Sequence, residues 1–189
     1  MSNSYPEEFD AIILGGGFAG VYAAQKLSRA LRRSGSSASV ALIAEENHMV
    51  FQPMLPEVAG AALSPRHVVN PIRSLCKGVN VFKGKVNSLE LDQKKLTLHA
   101  GDFAGPVTFS YKNLALCLGA KTDLSRIPGM QEHSLLLQNV GDAMRIRAHF
   151  ISRIEEANLT TRKPDRRRLL SFVIVGGGYS GVETAGQLI

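Results

Sequence analysis

Two glycine clusters hold the residues whose types and spacing can do chemistry: Gly15-Gly16-Gly17-Phe18-Ala19-Gly20 and Gly176-Gly177-Gly178-Tyr179-Ser180-Gly181. Each has the spacing G-x-G-x-x-G. Each follows a short apolar run, Ala11-Ile12-Ile13-Leu14 in the first case and Phe172-Val173-Ile174-Val175 in the second. A helix-like pattern from Val21 to about Leu31 succeeds the first cluster. In a strand, turn and helix context this spacing binds the pyrophosphate of a dinucleotide. Gly15 permits the tight turn, Gly17 lets backbone approach the pyrophosphate, and Gly20 lets the helix pack close to the strand. The helix N-terminus adds free N–H groups and partial positive charge. Two such clusters point to a protein that handles two dinucleotides.

The elements that must position these glycines are legible around them. Phe9 to Leu14 predicts a buried parallel strand, apolar throughout and stopped by glycine. Phe18 to about Arg32 predicts the crossover helix, with Val21, Ala24, Leu27, Ser28 and Leu31 on one face. Ser34 to Ser39 is a Gly/Ser loop, and Val40 to Ala44 a second strand. Together they make a βαβ unit of about 30 residues. The fold class is therefore α/β, a Rossmann-like parallel sheet. At the end of the second strand such a unit places an acid on the adenosine ribose. Glu45 is the candidate; the alternative is that Glu45 and Glu46 are exposed strand-end acids.

Phe51-Gln52-Pro53-Met54-Leu55-Pro56-Glu57-Val58 predicts a stiff, irregular segment, because each proline fixes its own φ and restricts the residue before it. It packs under the domain or lines a cofactor pocket. Pro65 to Leu75 predicts a short helix with Ser64 as N-cap. Val79–Val81, Lys85–Leu91, Lys95–His99 and Val107–Phe109 predict short strands of an antiparallel meander inserted into the parallel fold. Leu114–Leu118 predicts another buried strand. Asp123–Gln131 reads as a linker and Asp142–Ala157 as an amphipathic helix. Leu169–Val175 predicts the strand before the second cluster, so that the chain holds a complete first nucleotide-binding unit and the start of a second.

The exclusions are as useful. Ser2 to Asp10 carries Glu7, Glu8 and Asp10 without a basic residue, the wrong charge for a secretory leader. The apolar runs are broken by glycine far short of the roughly 20 residues a membrane span needs. Only two cysteines, Cys76 and Cys117, are present. That argues against a disulfide scaffold and for a reducing compartment, the cytoplasm. No metal-ligating pattern is expected. The net charge of +6 owes much to Arg162-Lys163-Pro164-Asp165-Arg166-Arg167-Arg168. Without interleaved aromatics or a recognition motif this run reads as a solvated linker rather than a nucleic-acid site, although an anionic membrane surface would attract it.

The chain resembles the N-terminal part of type II NADH dehydrogenases, the single-chain NADH:quinone oxidoreductases. The resemblance runs from Phe9 onward. It rests on Gly15–Gly20, on Val50 to Ala59, on Tyr111 to Ala120 followed by Ile127-Pro128-Gly129, and on Phe172 to Glu183. It implies FAD at the first cluster (Gly15, Gly17, Phe18, Ala19, Gly20) and NADH at the second (Gly176, Gly178, Gly181). It implies Phe51, Gln52 and Pro53 beside the isoalloxazine, the backbone of Val86 at the adenine, and Leu118-Gly119 at the strand-end turn near the flavin. Glu183 would face the nicotinamide and flavin, so that Gln52 and Glu183 are the catalytic candidates. For Glu183 the plainer alternative is a first-turn acid stabilised by its helix N-terminus. The implied reaction passes a hydride from NADH to flavin and electrons on to a quinone. Residues 1–122 would form the FAD-binding domain, and 123–189 a connector with the incomplete start of the NADH-binding domain. The full-length protein would sit peripherally on the inner face of the cell membrane, with a homodimer left open. Most of the NADH domain and the closing part of the FAD site lie outside the chain, so an N-terminal fragment is expected. Two rival readings stand: a sulfide:quinone or disulfide-type reductase, disfavoured by the lack of paired cysteines, and a flavin- or nucleotide-binding module without catalysis.

Overall fold

A computed structural model describes residues 7–189. Its elements, in chain order, are β1 (Glu8–Leu14), α1 (Phe18–Arg33), β2 (Val40–Ala44), β3 (His48–Val50), α2 (Leu55–Ala59), β4 (Val69–Pro71), α3 (Ile72–Leu75), β5 (Asn80–Lys83), β6 (Lys85–Glu90), β7 (Lys95–His99), β8 (Pro106–Leu116), α4 (Met130–His133), α5 (Val140–Leu159), α6 (Lys163–Leu169) and α7 (Tyr179–Gln187). Short 3-10 turns at Gln52–Met54 and Pro65–His67 precede α2 and β4. None of the described helices is long and apolar enough to cross a membrane.

The chain forms two compact units. One holds the described residues up to Met49 with Asn70–Lys121; the other holds Val50–Val69 with Thr122–Ile189. The first is built on a six-stranded sheet of order β5-β2-β1-β8-β7-β6. β5, β2, β1 and β8 are parallel neighbours, while β7 and β6 continue the sheet antiparallel. Strands buried on both faces must be apolar at every position, and β2 is buried throughout. Alternation still divides them. Ile12, Leu14, Ala41 and Ile43 enter one core, whereas Ile13, Val40, Leu42 and Ala44 enter the other. The second core is covered by α1 through Val21 and Ala24 and by α3 through Ile72. The first is lined by strand residues alone, with Leu96, Leu98, Phe109 and Tyr111 around Phe9. There Phe9 meets Phe82 edge-on at 5.8 Å and Phe109 at 5.6 Å, contacts each worth about 1 kcal/mol beyond area burial.

The expected meander is part of this same sheet. Val107–Phe109 and Leu114–Leu118 are not separate strands; β8 runs through Tyr111 without interruption to Leu116. Its first half pairs antiparallel with β7 and its second half parallel with β1, the two ladders meeting at Ser110, which pairs with both Lys95 and Glu8. β5, in turn, is a parallel edge strand beside β2. The expected helix over Pro65–Leu75 is also corrected. Ser64 makes no side-chain cap, and the stretch divides into the 3-10 turn, β4 and α3. Pro71 disfavours helical backbone at Asn70, and the apolar residues serve different cores, Val68 in the second unit and Ile72 in the first.

In the second unit, Leu55, Val58 and Ala59 of α2 pack with Val68 and with Ala143 of α5. α5 begins two residues before the expected Asp142, with Asn139 as N-cap and Asp142 closing a capping box, a device worth about 1 kcal/mol. The basic run is a helix, α6, pinned at its start by an Arg162–Asp165 ion pair at 3.0 Å, not a linker. Leu169–Val175 is not a strand: Leu169 ends α6, and Val173 and Val175 are 87% and 59% exposed. A strand exists only by pairing, and none of the described strands lies beside this segment.

One polar tie holds the first unit's sheet where β1, β2 and β8 converge. Asp10 accepts from Lys112 Nζ at 2.7 Å and from the Ser39 amide at 2.7 Å. The Lys112 bond, then those from Ser39, hold its carboxyl down from the usual 3.8 to about 2. A depressed folded-state value makes this contribution complete above the unfolded value and lost as pH falls through the folded one. In thermal unfolding across an acid series, the stability advantage of wild type over Asp10→Asn is therefore expected to shrink between about pH 4 and pH 2. A constant difference across that window would remove Asp10 as its source.

Candidate functional site: a glycine turn at the strand ends

The glycines of the first cluster each answer a different steric demand. Gly15 has φ +117°, and a Cβ there would stand 2.1 Å from the Cys117 carbonyl oxygen. At Gly20 a Cβ would stand 1.9 Å from the Gly15 carbonyl oxygen. At Gly16 it would meet Ile72 Cδ1 at 2.6 Å and Ala44 Cβ at 2.8 Å. Gly17 alone opens onto free space, with no atom within 4 Å of such a Cβ. It is the N-cap of α1, in extended backbone, with no side-chain cap and no acid in the first turn. The helix therefore presents uncapped N–H groups and an uncompensated dipole end beside an open position. The exposed Phe18 and Ala19 and the buried Gly20 form its first turn. An anion fits there, and a side chain at Gly17 would take its place.

Neighbouring strand ends close in on this turn. Gly15 N–H donates to Ile43 at 2.8 Å and Cys117 N–H to Leu14 at 2.8 Å. Cys117, Leu118 and Gly119 leave β8 against the turn, Leu118 being 71% exposed and Gly119 at φ +72°. Glu45 and Glu46 follow β2 directly and are exposed. The sequence did not single out Gly84, whose N–H donates to Ala44 at 2.9 Å and where a Cβ would stand 2.6 Å from the His99 carbonyl oxygen. That tie brings the start of β6, and with it Val86, beside the end of β2. Val86 pairs with Leu98, and its side chain packs on the aromatic core. All of this lies at the carboxyl ends of the parallel strands, where β2 flanks β1 on one side and β8 on the other. That reversal of strand order is the place where doubly wound sheets bind ligands.

In the second unit, the segment after Val50 divides in two. Phe51 to Met54 are exposed, while Leu55 and Val58 are buried. Phe51 N–H donates to Val68 at 2.7 Å and Gln52 Nε2 to the Gln138 carbonyl at 3.0 Å. Pro53 follows Gln52 in the 3-10 turn. Gln138 was not foreseen, though Asn139-x-x-Asp142 is a legible capping signal. The second glycine cluster repeats the first in its turn geometry, although Gly176 and Gly177 lack the close neighbours of Gly15 and Gly16. Gly176 has φ +114°, a Cβ at Gly181 would stand 2.0 Å from the Gly176 carbonyl oxygen, and Gly178 is open. Gly178 is the uncapped N-cap of α7. Glu183 is exposed and is the fifth residue of α7, beyond the first turn. The plainer reading of Glu183 as a first-turn acid is thereby corrected, since the dipole effect fades within that turn.

Both cysteines are free thiols. Cys76 is 2% exposed in the core under α1, and burial pushes its thiol up. A suppressed thiolate is a poor redox nucleophile, which speaks against a disulfide-type mechanism.

The family model for pyridine nucleotide-disulphide oxidoreductases matches residues 9–189. The chain belongs to this family. It is 33% identical over 187 residues to the Arabidopsis thaliana external alternative NAD(P)H-ubiquinone oxidoreductase B3, mitochondrial, covering 94% of this chain and 31% of that protein. It is 30% identical over 181 residues to the Mycobacterium tuberculosis type II NADH:quinone oxidoreductase NdhA, covering 94% and 37% respectively. The fold matches the structure of NDH2 from Plasmodium falciparum in complex with NADH, with a TM-score of 0.82, 24% identity, and coverage of 96% of this chain and 36% of that one. The chain thus spans about a third of the length of the curated relatives it matches. The family assignment agrees with the type II NADH dehydrogenase resemblance read from the motifs.

The steric map separates the two kinds of glycine. Gly20→Val should lower the thermal midpoint of the protein, by an overpacking cost of about 1–3 kcal/mol or more. Gly17→Leu should leave the midpoint within a few degrees and still abolish dinucleotide binding. Isothermal titration alongside thermal unfolding checks both; retained binding in Gly17→Leu would mean that the pyrophosphate lies elsewhere.

Proposed function

We propose that the chain is the flavin-holding part of an FAD-dependent NADH:quinone oxidoreductase. The observation that carries this reading is the open, uncapped helix start at Gly17, set at the strand-order reversal of a parallel sheet. Family membership supports it, as do relatives named for NADH or NAD(P)H oxidation by quinones.

The residues present fit a dinucleotide flavin. Gly15 and Gly20 permit the close backbone approaches that shape the turn, Gly17 leaves its ligand side open, and the N–H groups of Gly17, Phe18 and Ala19 would serve the pyrophosphate. Glu45 is assigned to the ribose hydroxyls, the Val86 backbone to the adenine, and Leu118-Gly119 to the ring-side wall. Phe51, Gln52 and Pro53 are assigned to the isoalloxazine flank. The chemistry that bound FAD supplies is acceptance of a hydride from NADH and return of the electrons to a quinone. Gly176, Gly178 and Gly181 are assigned to the NADH pyrophosphate. Glu183 is assigned to the nicotinamide side, where an exposed carboxylate orients the ring and carries a proton. We assign residues 1–122 to FAD binding and 123–189 to the connector and the start of the NADH-binding domain. A membrane surface on the cytoplasmic side is the fitting location for the whole protein, because a quinone is drawn from lipid.

A second reading, a nucleotide-binding module without catalysis, is favoured by one observation: Phe172–Val175 forms no strand, so the second turn lacks the sheet that would steady it.

The visible spectrum of the purified full-length protein decides between them. A bound flavin band that bleaches on adding NADH is the expected outcome; a band that persists with NADH supports the binding module, and no bound flavin sinks both. In the full-length enzyme, Glu183→Gln should slow flavin reduction by NADH roughly 100-fold while FAD binding is unchanged. An unaltered rate would remove Glu183 from the reaction.

A further inference from the structure

We propose that Asp142 is a positioning residue for Gln52, acting through the backbone of Gln138. The claim rests on the assignment of Phe51–Pro53 to the flavin flank and deepens it.

Asp142 is 4% exposed. A capping box requires two bonds, and both are present: Asp142 N–H donates to Asn139 Oδ1 at 2.9 Å, and Asn139 N–H donates to Asp142 Oδ2 at 3.1 Å. The same Oδ2 also accepts the Gln138 N–H at 2.9 Å, a bond that capping does not need. Arg145 pairs with the other carboxylate oxygen and balances its charge. Oδ2 thereby holds both peptides that flank the Gln138 Cα, one through the Gln138 N–H and one through the Asn139 N–H. Gln138 accepts Gln52 Nε2 on its carbonyl at 3.0 Å, in the same peptide as the Asn139 N–H. Its own side chain donates to Thr122 Oγ1 at 2.6 Å. Three polar groups of Gln138 are thus committed to different segments: its N–H to the start of α5, its C=O to the 3-10 turn, and its Nε2 to Thr122.

The result is a relay of positions rather than of protons. A buried carboxylate holds the two peptides around Gln138, and the carbonyl of the second holds an exposed amide side chain that would otherwise turn freely. Gln52 is oriented before any ligand arrives, and prior orientation is what a site must supply, since misplacement by about 1 Å costs on the order of 100-fold in rate.

The test uses the full-length protein and compares Asp142→Ala with Asn139→Ala. Both remove a helix cap; only the first releases Gln138. Hydrogen exchange over residues 51–54 in the flavin-free protein reads the mechanical link without reference to the cofactor. Asp142→Ala is expected to speed that exchange by roughly tenfold and Asn139→Ala to leave it unchanged. Equal effects would overturn the proposal in favour of capping alone. Should Asp142→Ala prove too unstable, Asp142→Asn, which keeps an acceptor but loses the Arg145 pair, is expected to show the same exchange at smaller amplitude; wild-type exchange would overturn it. In the FAD-loaded protein, Gln52→Ala and Asp142→Ala should shift the flavin absorption band in the same direction and lower kcat roughly tenfold with KM little changed, and the double variant should go no further. Additive effects would overturn the relay. A flavin band unmoved by Gln52→Ala, with the exchange result intact, would instead overturn the placement of residues 51–53 at the flavin.

Discussion

A carbonyl oxygen 1.9 Å from where a Cβ would stand constrains this structure more than any side-chain contact. The Gly15 carbonyl can lie that close to Gly20 only because Gly20 lacks a side chain, and Gly15 can lie against the Cys117 carbonyl for the same reason. These two approaches set the start of α1 directly on the end of β1. The buried face of α1 then continues with small residues, Val21, Ala24 and Ser28, so the helix stays close to the sheet. The helix start is left without a side-chain cap, and Gly17 faces open space. Binding capacity and packing come from one steric fact.

The same fact is local. The second turn reproduces φ and the close approach, +114° and 2.0 Å at Gly176 and Gly181, although the strand before it is not formed. Six residues of suitable sequence encode the turn; a sheet is needed only to fix what surrounds it. β8 shows the converse. Its residues alternate into the aromatic core at Phe109 and Tyr111, but its change of partner at Ser110 reflects what lies beside it, not anything within it.

The division between legible and illegible follows this distinction. The glycine turns, β1, α1, β2 and the order of nucleotide-binding elements were readable because each depends on a few adjacent residues. The helix expected over Pro65–Leu75 failed because periodicity assumes one core, while Val68 and Ile72 serve two. The strand expected at Leu169–Val175 failed because an apolar run states a wish for burial and cannot name its partner. The expected end of one strand at Phe109 and start of another at Leu114 missed that Tyr111 is buried between them. In the site, Gly84 and Gln138 were invisible for a related reason. Their roles are backbone hydrogen bonds to residues distant in the chain, Ala44 and Gln52, and no side-chain type announces them.

The placement of β8 has a consequence for synthesis. β1 leaves the ribosome before the other described strands of its sheet, and its neighbour on one side, β8, leaves after them all. The Ser110 hydroxyl bonds the Glu7 carbonyl across a separation of 103 residues. At about 5–20 residues per second, β1 spends roughly 5–20 s with that edge unpaired. During this interval Phe9, Ile12 and Leu14 form an apolar strand with open N–H and C=O groups, the kind of edge that pairs with another chain. A nascent chain shielded by a chaperone until Leu116 emerges would close its sheet on itself; an unshielded one on a crowded polysome would meet its neighbour's β1 first.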